Sequence, residues 1–138
     1  MELVVVLALL ALAAAIVAPA VGRAATDVRA RSEAAAVAAF LRGARELAAT
    51  RREVVQVAPG RDDHTLLLRQ PATHGSAGSE RARTFTARLR LEPGAGALSF
   101  LPDGMSSGGR ITLDASGRRS FTVVVDPLTG RVTTRATR

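Results

Sequence analysis

The run LVVVLALLALAAAIVAPAV, residues 3–21, constrains this chain more than anything that follows it. It carries no charged or polar side chain, and a single carboxylate, Glu2, stands directly before it. Wound as a helix, it reaches about 28 Å, close to the hydrocarbon thickness of a bilayer. A core helix this apolar needs an apolar shell, and the rest of the 138-residue chain offers too little. Two uses remain. One is a retained transmembrane segment; the other is a cleaved secretory signal, for which Ala18-Pro19-Ala20 has the A-x-A form. The missing basic n-region, the acid in its place and the length of the run favour retention.

After Pro19 and Gly22 the pattern becomes polar and helical. Thr26 or Asp27 can cap a helix start. Val28, Ala34, Val37, Ala38, Phe40, Leu41, Ala44, Leu47 and Ala48 then recur at spacings of three and four, opposite Arg29, Arg31, Glu33, Arg42, Arg45 and Glu46. The reading is one long, bent helix in two parts: an apolar half, 1–22, and an amphipathic half, 23–52, with Pro19 at the kink.

Beyond Glu53 the period shortens to two. Strands are expected at 53–58, 64–70, 83–91, 97–101, 110–113, 119–126 and 130–135, each short, rich in Val, Thr, Leu and Phe, and bounded by turn residues. In TARLRL, Ala87, Leu89 and Leu91 alternate with Arg88 and Arg90, as in a half-buried strand. Turns are expected at APGRDD, EPGAG, LPDG (Pro102, Asp103, Gly104), DASG and DPLTG (Asp126 to Gly130). Residues 70–83 are small, polar and aperiodic, and read as a mobile loop. A helix followed by a run of strands is an α+β order, with the amphipathic stripe laid on an antiparallel sheet; residues 53–138 form the β-rich head.

Reactive chemistry is sparse. The segment DDH, 62–64, sits at a turn without a second set of ligands, and His74 lies in the expected loop. Ser106, Ser107 and Ser116 have no nucleophile motif around them, and the glycine-rich GMSSGG matches no phosphate-binding loop. The sequence therefore assigns no catalytic residue, metal or cofactor. With no cysteine, disulfides and thiolate chemistry are excluded. The net charge of +7 comes from arginine alone. Arg118, Arg119, Arg131 and the closing RATR could make one sheet edge basic. Without Tyr or Trp, and with four Phe, stacking platforms are scarce, so the charge reads as a solvated face rather than a nucleic-acid site.

Glu2 ahead of LVVVLALLALAAAIVAP resembles the N-terminal helix of type IV pilins and type II secretion pseudopilins, where a proline follows the glutamate at the spacing of Pro19. FLPDGMSSGGRITL followed by FTVVVDPLTGRV is similar to the closing strands of GspH/FimT-type minor pseudopilins. Pro127 stands where relatives commonly carry an aromatic residue. The resemblance implies a pilin-like fold and a non-enzymatic subunit of a secretion pseudopilus, anchored in the inner membrane with its head in the periplasm. It also implies that Glu2 pairs with the methylated N-terminal amine of a neighbouring pseudopilin, and that prepilin peptidase processes a leader. An acid in an apolar bundle is costly unless paired, so its presence calls for a partner. Two other readings stay open: a minor pilin of a type IV pilus whose basic head contacts DNA, and a secreted β-domain with a cleaved signal.

One tension leads to a test. Nothing basic precedes the apolar run, whereas Arg23, Arg29 and Arg31 follow it, which by the positive-inside rule would hold the head in the cytoplasm. A basic leader upstream of Met1 removes the conflict. Translation of the genomic DNA upstream is expected to give, in frame, a short Lys/Arg-containing leader ending in glycine, then phenylalanine, threonine and an aliphatic residue before Glu2. An in-frame stop codon within the preceding ten or so codons refutes this.

Overall fold

The computed structural model describes residues 2–72, 77–92, 96–114 and 120–137; of 16–25 it describes the backbone alone. His74, Ser116, Arg118, Arg119 and most of the EPGAG and DASG turns lie outside the described residues.

Helix α1 runs unbroken from Glu2 to Arg51. No separate start falls at Thr26 or Asp27, because the helix continues from the apolar into the amphipathic half, Pro19 leaving one rung of its hydrogen-bond ladder unmade. The two halves live in different surroundings. Leu3, Val4, Leu7, Leu10 and Leu12 are more than half exposed, whereas Ala34, Val37, Leu41, Ala44 and Ala48 are fully buried. Among the described residues no helix is long and apolar enough to cross a membrane, the described side chains of the apolar half ending at Ala15, short of Val21.

The helix ends on a cap. Arg52 takes φ 55°, and the Glu53 N–H reaches back to the Ala48 carbonyl at 3.2 Å. That six-to-one bond after a left-handed residue satisfies an orphan carbonyl and turns the chain out of the helix, with arginine where glycine is usual.

The head is two four-stranded antiparallel sheets. The first has the order β3-β2-β1-β5, with β1 Val55–Pro59, β2 Thr65–Gln70, β3 Ser79–Thr84 and β5 Leu98–Phe100. The second has the order β4-β6-β7-β8, with β4 Arg88–Glu92, β6 Gly109–Asp114, β7 Ser120–Val125 and β8 Val132–Thr137. The helix packs on β7, β8, β1 and β5, so its stripe closes one core shared by both sheets. The expected α+β architecture of a helix laid on antiparallel sheets is what forms.

Three local expectations are corrected. The loop placed at 70–83 ends early, because residues 79–84 form β3, paired along its length with β2 from Gln70↔Ser79 to Thr65↔Thr84. Every residue of β3 is exposed, so no burial alternation marks it in sequence. The strand expected at 83–91 is two strands in different sheets. Phe85 N–H, between them, bonds the His64 carbonyl at 2.8 Å, and Leu89 N–H, at the start of β4, bonds the Asp63 carbonyl at 2.5 Å, carrying the chain across. Finally, Val28 stands 68% exposed, outside the stripe, whose first core residue is Ala30.

Since the described core begins at Ala30, a fragment of residues 26–138 retains every described core side chain. It is expected to melt cooperatively, with mixed helix and strand by circular dichroism. Leu41→Ala, which empties a fully buried site, is expected to cost that fragment about 2–5 kcal/mol in denaturant unfolding. A disordered fragment, or a Leu41→Ala melting curve identical to the parent, contradicts the shared core.

Candidate functional site

The turn motifs LPDG and DPLTG, far apart in sequence, come together beside the C-terminal part of α1. Each is first folded by its own aspartate. Asp103 Oδ1 accepts the Met105 N–H at 3.0 Å, while Gly104 N–H donates to the Leu101 carbonyl and Leu101 N–H to the Met105 carbonyl. Asp126 Oδ1 accepts three bonds, from the N–H of Leu128 and of Thr129 and from the Thr129 hydroxyl, at 2.9–3.0 Å. Such Asx turns give the chain a reversal that no strand ladder supplies. The hairpin then closes from Gly130 N–H to the Asp126 carbonyl and from Asp126 N–H to the Arg131 carbonyl.

Two side chains join the turns. Ser106 is buried; its hydroxyl donates to the Asp126 carbonyl at 3.0 Å and accepts from Gly108 N–H, while its own N–H bonds the Pro127 carbonyl. Arg45 comes from the helix and donates from Nε to the Gly104 carbonyl at 3.4 Å. One turn of helix earlier, Arg42 reaches the Val132 carbonyl at 3.5 Å. Gly130, at φ +60°, is pressed between these parts: a Cβ there would collide with the Gly104 carbonyl oxygen and lie 2.9 Å from Arg45 Nε. Gly130 is therefore required twice, for its backbone and for its lack of a side chain.

The surface left between helix and strands is an open groove, with Arg42, Arg45 and Glu46 on one wall and Arg131, Thr133 and Arg135 on the other. Leu128, 73% exposed, tops the DPLTG turn, with Met105 partly exposed on the neighbouring loop. Pro102, Asp103, Gly104, Asp126 and Gly130 are thus brought together, whereas Glu2 and Pro19 lie in the other half of α1. Glu2 sits exposed in the first helical turn, where a carboxylate suits the positive end of the helix dipole. Elsewhere, Asp63 and His64 serve the crossover between sheets through their carbonyls, His64 also through Nδ1, 3.1 Å from the Ala87 carbonyl oxygen, while the Asp62 carbonyl accepts the Thr65 N–H within the turn before β2. Among the described residues no cluster of His, Cys, Asp or Glu has the makings of a metal site. The parts missed in sequence are Arg45 and Ser106, because nothing local marks a helix arginine or a loop serine as a cross-brace.

A single long helix, half exposed and apolar, half buried under two antiparallel sheets whose last turns it braces, defines a pilin-like subunit. The chain belongs to the family described as type II transport protein GspH, whose sequence model matches residues 33–129. No curated protein matches the chain in sequence. Among solved structures, the type IV minor pilin FimU of Pseudomonas aeruginosa strain PAO1 is similar in two crystal forms. One has a TM-score of 0.61 at 18% identity, covering 76% of this chain and 91% of that one. The other has 0.62 at 17%, covering 77% and 87%. At that identity the likeness concerns the fold. Family and fold are those of structural, pilin-like proteins.

Two substitutions test the bracing. Gly130→Val imposes strain of about 1–3 kcal/mol from the backbone alone, and the Gly104 carbonyl must also move, so a clear fall in melting temperature is expected. An unchanged value contradicts the geometry. The Asp126 carboxyl is held below its ordinary range, chiefly by the Thr129 N–H and then by the Thr129 hydroxyl, with a lesser contribution from the Leu128 N–H, against an opposing effect of desolvation. A lowered folded-state value means the stabilisation is complete above the unfolded aspartate range and lost as pH falls through the folded value. Asp126→Asn should thus destabilise the head at neutral pH, and its gap from the parent should shrink in strong acid. A gap independent of pH rules the carboxylate out.

Proposed function

We propose that this chain is a minor pseudopilin of a type II secretion system, a structural subunit of the pseudopilus that drives protein export across the outer membrane. Residues 3–21 anchor it in the inner membrane before assembly, with the head in the periplasm, and enter the filament core afterwards. Pro19 kinks the helix near the membrane boundary. The observation that carries this reading is the match to the GspH family, joined to a helix whose described apolar side chains, residues 3–15, are all exposed. Such a surface is stable in water only when another body covers it.

Glu2 then has a definite task. In a bundle of apolar helices its carboxylate pairs with the N-terminal amine of a neighbouring pseudopilin, methylated as in relatives, after prepilin peptidase has removed the leader. Glu2→Leu in the full precursor should leave membrane insertion intact and sharply reduce co-assembly, since an amine left buried and unpaired costs several kcal/mol. Undiminished crosslinking of Glu2→Leu to the other pseudopilins would end that role.

The second reading, a minor pilin of a type IV pilus, is favoured by the fold shared with FimU. Deleting the gene distinguishes the two. Loss of exported proteins from the medium with surface pili intact supports the pseudopilus, and the opposite result supports the pilus.

A further inference from the structure

Strand β8 is the last of its sheet, so one side pairs with β7 and the other is open. In an antiparallel ladder, alternate residues turn both main-chain groups toward the neighbour, and those between turn theirs away. The hairpin bond from Asp126 N–H to the Arg131 carbonyl sets the phase. Counting along the register, Thr133, Arg135 and Thr137 face β7, while Val132, Thr134 and Ala136 face outward. The bond from Arg42 to the Val132 carbonyl agrees, since it arrives from the open side. Val132 is buried under the helix, but Thr134 and Ala136, in the same side-chain row, are exposed. Their outward N–H and C=O groups form a free main-chain edge.

This edge borders the groove described above. Arg42 and Arg45 stand on its helix wall, Arg131 and Arg135 on its strand wall. None of the four has an ion-pair partner among the described residues. Glu46, Asp103 and Asp126 also line the groove, so its four arginines leave the walls a net charge of +1, with Asp103 and Asp126 held in the two turns and the arginines on the helix and strand walls.

We propose that the open edge of β8 accepts an extended acidic peptide as an added strand. Its main chain pairs with Thr134 and Ala136, and its carboxylates lie against the groove arginines. Strand addition draws affinity from main-chain bonds and selectivity from side chains at alternate positions. Here one face of the added strand meets Arg135 and the other meets Arg42 and Arg45. A second copy suits the edge poorly, because pairing two β8 strands brings arginine-rich edges together. Nucleic acid would use the charge but not the alternating donors and acceptors, and the groove offers no aromatic ring for stacking. The inference holds whichever filament the chain serves.

The test uses the full chain in micelles of neutral detergent and a labelled peptide of alternating glutamate and valine. Three comparison probes are an alternating lysine–valine peptide, the acidic peptide with alternate amides N-methylated, and a single-stranded oligonucleotide of equal charge. The acidic peptide should bind saturably and slow hydrogen exchange at the Thr134 and Ala136 amides. N-methylation, or Thr134→Pro, which removes an outward donor and no ladder bond, should each weaken binding about tenfold. Arg135→Glu leaves the main chain intact and should weaken it about threefold, which keeps the test valid if the proline variant does not fold. Equal binding of the lysine or the N-methylated peptide overturns the proposal. Tighter oligonucleotide binding that ignores Thr134→Pro assigns the groove to nucleic acid instead. Peptide-independent dimers lost on Thr134→Pro assign the edge to a second copy.

Discussion

Everything in the head depends on one burial event, the docking of the alanine-rich stripe of α1 between two sheets. Ala34, Ala38, Ala44 and Ala48 have little side chain to bury, yet they are fully enclosed. Their use is geometric, because a helix faced with small residues approaches a sheet closely, and Val37 and Leu41 then fill the gaps between strands. The large apolar groups come from the sheets: Val55, Val57, Leu98 and Phe100 from the first, Ile111, Leu113, Val123 and Val125 from the second. Each sheet shows one apolar face, and one helix stripe has to satisfy both. Removing the helix uncovers the apolar faces of both sheets together, so sheets and helix fold as a single cooperative unit.

What the sequence made legible followed from how strongly burial imprints a period. The stripe from Ala34 to Ala48, the strands around LLL and TVVV, and the alternation of Leu89 with Arg88 and Arg90 all sit on half-buried surfaces, where the period is enforced. β3 escaped because both its faces are wet and its stability comes from the ladder to β2. The crossing between β3 and β4 escaped because Phe85 and Ala87 are buried at it, so the inward alternation continues straight through a change of sheet. The candidate site was legible only in halves. LPDG and DPLTG announce turns, but the brace between them is a helix arginine touching a carbonyl, and such long-range contact leaves no local mark.

The turns also explain why a structural subunit keeps so specific a corner. Asp103 and Asp126 each fix their own loop, Ser106 ties one loop to the other, and Gly130 removes the atom that would hold them apart. The corner therefore presents Leu128 and Met105 outward as an apolar tip, beside an arginine-lined groove. Rigid, well-defined surfaces lower the entropy lost on docking, which suits a subunit whose work consists of contacts.

The unbroken course of α1 has a mechanical consequence. Fifty residues of continuous helix extend about 75 Å along the axis, and the far end of that rod is the core of the head. Force applied along the apolar half is not passed through a linker that can stretch or swivel. It reaches Val37 and Leu41 directly and is shared at once by both sheets. Pulling the rod free means breaking every one of those contacts together, so under load the head detaches only by unfolding, and it transmits axial motion without slack.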